Sequence, residues 1–216
     1  MKSIFPKTWK RFASWAGLFL LCLTLTGETC TVDKTIEVTA GAEVVAQFEA
    51  RGQINTFDES RTVDLATDAD LREILEDNGF EDEVVAYIES AFVRVIKRDS
   101  GAAGRTVTGT VTVEEGPGGG TPVNLILNQS AQINDESLAD WTAVPLESAG
   151  VNLMNAALTE YLLAIYLGNP NPEEPVLTFH VTGVSTPQGV TSDFDWEVKV
   201  VMTLVGKKEI TVVDPL

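Results

Sequence analysis

The chain has 216 residues and a formal net charge of −17, from 15 Lys and Arg against 32 Asp and Glu. A surface of that sign repels nucleic acid and anionic lipid headgroups, because phosphate binding needs clustered Lys and Arg, so no nucleic-acid partner is expected. One histidine and two cysteines are too few for a zinc site built from His and Cys ligands.

The N-terminus departs from this acidity. Lys2, Lys7, Lys10 and Arg11 precede an apolar run from Phe12 to Leu25. A basic segment followed by a short apolar one reads as a signal peptide, and about 20 apolar residues would be needed for a comfortable membrane span. The expected organisation is a signal segment at 1–29 and one exported domain at 30–216. The leader holds four of the cations and one of the anions, which leaves 11 against 31, a net −20, for the remainder. Cys22 lies in the apolar run; Cys30 follows it and has no second cysteine for a disulfide. A lone cysteine behind an apolar run resembles the acylated cysteine of bacterial lipoproteins, which makes Cys30 a candidate lipidation site. That motif asks for an aliphatic residue three positions earlier and a small one just before; here stand Gly27 and Thr29. Ordinary cleavage near residues 27–30 and an uncleaved anchor therefore remain as alternatives.

From Thr31 the pattern is mostly one of strands. Thr31–Ala40 reads as a first strand, interrupted at Gly41. Val44–Ile54 alternates as a second, with Gly52 at a bulge. Asp58-Glu59-Ser60 reads as a polar turn before a short strand at Arg61–Leu65. Thr67 opens a short helix with Leu71, Ile74 and Leu75 at helical spacing. Asp68 and Asp70 favour its first turn as capping acids rather than calcium ligands, and Asn78-Gly79 ends it. The stretch 81–90 is ambiguous, and from Ala91 a strand runs to Lys97-Arg98. In Arg105–Glu115, Val107, Gly109, Val111 and Val113 oppose Thr106, Thr108, Thr110 and Thr112. The glycine-rich 116–122 lacks the Gly-Lys-Ser/Thr of a phosphate loop and reads as a hairpin connection to Val123–Leu127. Trp141 and Val144 are expected to be pinned to the core.

Ser148–Leu167 is the strongest helix, with Val151, Met154, Leu158, Tyr161, Leu162 and Ile165 as its apolar stripe and Gly168 as its stop. Val176–Val184 alternates again and is joined by Thr186–Gly189 to the longest strand, Val190–Val205, in a plausible hairpin. There Phe194, Trp196, Val198 and Val200 share one face, and Asp193, Asp195, Glu197 and Lys199 the other, which reads as solvated. Gly206-Lys207-Lys208 reads as a turn into a last strand.

Catalytic signals are thin. His180 lies on the polar face of a strand, where surface placement and a small cost of substitution are expected. No serine stands in a Gly-x-Ser-x-Gly elbow. Asp193 and Asp195 share a face as a glycosidase pair would, and also as surface acids do. The fold class expected is mainly β, an antiparallel β-sandwich with one long and one short packed helix. In its signal segment and strand pattern the chain resembles uncharacterised exported or lipoprotein-like β-sandwich proteins of bacteria, a resemblance that implies no site residues. The function expected is a non-catalytic binding or structural module of the cell envelope or extracellular space, secreted or anchored at its N-terminus. Its partner would be a protein, glycan or surface component, and no cofactor is expected. A carboxylate-based hydrolase and a lipid carrier are the alternatives. The first needs two acids about 5–10 Å apart in a pocket; the second needs an apolar cavity between the long helix and a sheet.

Overall fold

The computed structural model describes residues 30–53, 55–80, 84–98, 105–116, 119–187, 189 and 192–214. The signal segment predicted at 1–29 lies outside them; Cys30 begins the first strand, but its side chain is outside the description. Two units are distinguished. One comprises residues 1–32 with 212–216, whose described residues are the ends of two strands; the other is the sandwich, residues 33–211.

Among the described residues, eight strands and three helices follow in order: β1 Cys30–Gln53, β2 Thr56–Asp64, α1 Leu65–Asp68, α2 Leu71–Asn78, β3 Val85–Lys97, β4 Thr106–Glu115, β5 Val123–Gln132, β6 Thr142–Val144, α3 Ser148–Tyr166, β7 Val176–Thr186 and β8 Ser192–Asp214. They form two antiparallel four-stranded sheets, with orders β1-β8-β3-β6 and β2-β7-β4-β5. The fold is the expected mainly β sandwich. Every connection except β4–β5 passes from one sheet to the other, the connectivity of a jelly roll.

The inner faces obey the period of two. Phe194, Trp196, Val198 and Val200 of β8 are buried against Val107, Val111 and Val113 of β4 and Leu177, Phe179 and Val181 of β7 within one core. Trp196 lies at its centre with no exposed surface. Two glycines make that possible. Gly109 and Gly183 are cross-strand partners, and Gly183 also pairs with Phe57 of β2. A Cβ on Gly109 would stand 3.2 Å from the Trp196 ring, and one on Gly183 would meet the Phe57 ring at 2.5 Å. The glycine pair is thus a slot into which two rings are pressed. Phe57 stacks edge-on to Phe194 at 5.3 Å and tilted to Trp196 at 5.9 Å.

Several local signals are overridden. Gly41 does not interrupt β1, which runs unbroken. Asp58-Glu59-Ser60 is no turn: it lies inside β2, paired with Thr182, Val181 and His180. β2 is an edge strand, and Arg61, on the parity of buried Phe57 and Val63, reaches across to the Gln47 carbonyl at 3.4 Å. An exposed charge on an edge strand blunts it against pairing with another chain. The Gly206-Lys207-Lys208 turn is also absent, since β8 continues to Asp214. Gly206 is required because a side chain there would strike the Phe80 ring, 2.5 Å from its Cβ. The Thr186–Gly189 hairpin fails because β7 and β8 belong to different sheets. The ambiguity at 81–90 has a cause. A register shift between Ile88 and Ser90 moves the buried parity of β3 from Ala86 and Ile88 to Ala91, Val93 and Val95.

The single helix expected from Thr67 is two helices. Asp64 caps α1, its carboxylate accepting from Ala66 N at 2.9 Å, Thr67 N at 3.3 Å and the Thr67 hydroxyl at 2.8 Å. Asp70, left-handed at φ 51°, separates α1 from α2 and makes no side-chain cap. Gly79 closes α2 at φ 60° as the sequence indicates. α3 buries Met154, Leu158, Tyr161 and Leu162 of its predicted stripe, with Val151 and Ile165 partly buried, and Gly150 lets it settle on β5: a Cβ there would be 2.7 Å from Leu125 Cα.

Candidate functional site

The acids singled out on β8 turn out to be structural. Asp195 is 1% exposed. Gln47 Nε2 donates to its Oδ2 at 2.8 Å, Arg51 Nη2 to its Oδ1 at 2.6 Å, and Arg98 Nε to its Oδ2 at 2.5 Å. The Arg98 pKa rises, chiefly through its hydrogen bond to Asp195. Glu197 is buried against Arg94, whose Nε donates to its Oε2 at 2.5 Å. Asp193 accepts from Gly52 N at 2.6 Å. The expectation of a solvated face is therefore corrected. β8 is a central strand with long neighbours on both sides, and β1 and β3 fold their arginines over its outer acids.

Trp141 completes that cover. It packs on the Arg94 guanidinium at 4.4 Å and the Lys199 ammonium at 4.7 Å, on the outer surface rather than in the core as expected. His180 does lie on the outward face of β7, but it is not free. Its Nε2 stands 3.0 Å from Glu114 Oε1, with side-chain exposures of 32% and 8%. Cross-strand Thr112 and Ser60 flank it.

The concave site lies elsewhere. The end of β4, the start of β7 and the middle of α3 border an open cleft of about 430 Å³. Glu115, Glu160, Glu173 and Glu174 line it, with an apolar strip of Ala157, Pro175 and Val176. Its walls are stitched together. Gly116 N donates to Val176 O at 2.9 Å, Leu65 N to Pro175 O at 3.2 Å, and the Thr178 hydroxyl to Gly116 O at 2.7 Å. Tyr161 forms part of the lining and also borders a second hollow of about 240 Å³, shared with Glu174, Arg72, Glu73 and Asp70.

Electrostatics at this site are set by one acid pair. Burial pushes the Asp64 carboxyl up, but hydrogen bonds from the Thr67 hydroxyl, from Glu174 and from the backbone N–H groups of Thr67 and Ala66 hold it below its ordinary value. Glu174 goes the other way. Its hydrogen bond to Asp64 and that group's charge raise it, while Arg72 pulls it down. The two carboxyls are thus pushed in opposite directions, as neighbouring acids are. Burial raises the Tyr161 phenol, and the nearby charge of Arg72 opposes this. The Tyr161 hydroxyl is enclosed and has no hydrogen bond of acceptable geometry.

Nothing in the sequence marked these residues. Tyr161 read as part of a core stripe, Glu115 as the end of a strand, and Glu160, Glu173 and Glu174 were not singled out; the crossings between sheets bring them together. Among the described residues no three His, Cys, Asp or Glu groups converge as metal ligands, and no helix is long and apolar enough to cross a membrane.

No family model and no curated protein matches the chain. Among solved structures, that of Desmodium yellow mottle tymovirus is similar at 8% identity, covering 91% of this chain and 96% of its own, with a TM-score of 0.28. The decameric BFDV capsid protein is similar at 12% identity over 78% of this chain and 99% of its own, with a TM-score of 0.33. At these scores the likeness carries no argument about function.

Proposed function

We propose that the chain is an exported, non-catalytic binding module of the cell envelope or extracellular space, and that it engages its ligand at the cleft between β4, β7 and α3. The observation that carries the reading is the cleft itself, about 430 Å³ in volume with walls held by backbone hydrogen bonds. Ligand sites are concave and largely pre-formed, commonly about 300–1,000 Å³. Export rests on the basic-then-apolar order of residues 2–25. Intact mass of the mature protein tests it. Loss of the leader is expected, with a diacylglyceryl addition if Cys30 is lipidated; a full-length cytoplasmic product would sink it.

One observation favours a carboxylate hydrolase as a second reading: Glu174, which lines the cleft, is coupled to the neighbouring acid Asp64. Two features weigh against it. The two acids interact directly enough to shift each other, whereas a glycosidase holds its pair about 5–10 Å apart around the scissile bond. Asp64 is also committed to capping α1. The lipid carrier loses ground for a different reason, since Gly150 lets α3 close directly onto β5. A fragment screen read by backbone amide NMR separates the readings. Binding is expected to perturb Ala157, Tyr161 and Val176 together. Perturbations confined to other surfaces would overturn the assignment, and turnover abolished by Asp64→Asn would favour the hydrolase.

A further inference from the structure

We infer that β1 is a dimerisation edge: the stretch Asp33–Val45 pairs antiparallel with the same stretch of a second copy, about a two-fold axis at Thr39. The inference is independent of the cleft and of what binds there.

A strand at the edge of a sheet offers its outward N–H and C=O groups to another chain, and folds usually blunt such edges. Among the described strands, three of the four edges are blunted. β6 has only three residues. β2 carries Asp58, Glu59 and Arg61. β5 is paired through two register shifts, and its Asn128 is left-handed at φ 48°. The fourth edge, β1, runs unbroken over 24 residues with no proline, and no described strand lies beyond it. Ala42, Val44, Ala46 and Phe48 are buried without a break in parity, so the alternation is regular there. On the other parity, the Gln47 carbonyl accepts from Arg61 of the edge strand β2 at 3.4 Å, and so faces outwards. Thr35, Glu37, Thr39, Gly41 and Glu43 share that parity and turn their backbone groups to the same side.

Charge selects the occupant and the register. The chain beyond residue 29 holds 11 cations against 31 anions, a net −20, so a second copy is repelled unless facing acids are kept apart. Arg61 already occupies the Gln47 carbonyl, which ends the available ladder at Val45. An axis at Thr39 sets Val38 against Ala40, Glu37 against Gly41, Ile36 against Ala42, Thr35 against Glu43, Lys34 against Val44 and Asp33 against Val45. No acid meets an acid. Neighbouring registers fail on this point. An axis at Val38 opposes Asp33 to Glu43, one at Ala40 opposes Glu37 to Glu43, and one at Glu37 opposes that acid to itself. An axis at Gly41 runs the ladder past Gln47 and opposes Asp33 to Glu49. The acids of β1 therefore blunt it against other partners but not against itself in this one register.

Two features of β1 without a use in a single copy acquire one in the pair. Gly41 stands inside a strand, yet a Cβ there would meet nothing within 4 Å. Glycine in a strand marks a place where another backbone approaches closely, and here the facing residue is Glu37 of the second copy. Ile36 is 39% exposed; in the pair it lies beside Ala42 of the second copy, at the rim of that copy's core. The two-fold axis repeats both contacts.

The test uses protein purified after expression of the full chain, followed by sedimentation equilibrium over a dilution series. A dimer that dissociates on dilution is expected, and added salt should tighten it by screening the like charge of the two copies. Two substitutions read the register. Thr35 and Thr39 are both exposed, lie on one face, and gain the same charge when changed to lysine. Thr35→Lys sets an ammonium against Glu43 twice in the dimer and should tighten it about fivefold. Thr39→Lys sets two ammonium groups against each other and should weaken it about fivefold. The amides of Thr35, Glu37, Thr39, Gly41 and Glu43 should exchange slowly in the dimer and fast on dilution.

A monomer at every concentration would overturn the inference. Equal effects of the two lysine substitutions would do the same, because the contact would then lie elsewhere. A monomer in which those five amides still exchange slowly would show another segment of this chain lying on the edge, and the second copy would be excluded.

Discussion

A single carboxylate at Asp195 answers Gln47, Arg51 and Arg98. Asp195→Asn keeps the shape but removes the charge that the two arginines share. Their outer atoms remain in water, which softens the loss, so a cost of about 2–3 kcal/mol is expected, the range of hydrogen bonds to charged groups. Trp196→Ala should cost about 3–5 kcal/mol by emptying the slot between Gly109 and Gly183. Urea melts of the two variants compare a polar and an apolar anchor one residue apart on opposite faces. An Asp195→Asn protein as stable as the parent would show that the ion network contributes nothing. His180→Ala strands the nearly buried Glu114 carboxylate and should cost about 1–2 kcal/mol, more than a free surface histidine would. A denaturation midpoint unchanged from the parent would show the pair to be ornamental.

Elements were legible where side-chain parity decides them. The alternation of Thr106–Val113 and Leu177–Thr182 and the stripe of α3 each name their buried face without reference to neighbours. What failed were the places where a neighbour overrules the local signal. Gly41, Asp58-Glu59-Ser60 and Gly206-Lys207-Lys208 have turn composition but are held extended by cross-strand pairing. The glycines at 109, 183 and 206 were not read as close approaches, because which ring fills each gap depends on sheet order, and sheet order was not encoded locally. The cleft was illegible for the same reason, since its acids come from β4, α3 and the entry to β7. Gly183→Ala tests the ring-in-slot packing. The new methyl would collide with the Phe57 ring and the Thr108 carbonyl. A loss of about 1–3 kcal/mol is expected, as for other overpacked cores. Thermal melts that tolerate alanine would show that Phe57 can swing aside.

Over the whole molecule, the acid pair at Asp64 and Glu174 ties stability to pH. The lowered Asp64 contributes stability that is present above its unfolded value and lost as pH falls through the folded one. The raised Glu174 acts in the opposite sense. It favours the fold while protonated, and that contribution disappears as pH rises through its folded value. Glu174→Gln keeps a donor for Asp64 and cannot ionise. The variant should therefore melt slightly above the parent at neutral pH and level with it near pH 4, a comparison that calorimetry makes directly. A constant difference across that range would mean that the two carboxyls are not coupled.

The connectivity has one more consequence, which concerns time rather than structure. β8 comes last of the eight strands, yet it occupies the middle of its sheet, between β1 and β3. A growing chain can pair β4 with β5 early, but the first sheet has no centre until β8 is delivered. Contacts so distant along the chain make folding slow, on the order of milliseconds to seconds. A polypeptide of this topology completes its first sheet late, only after its last strand has been made.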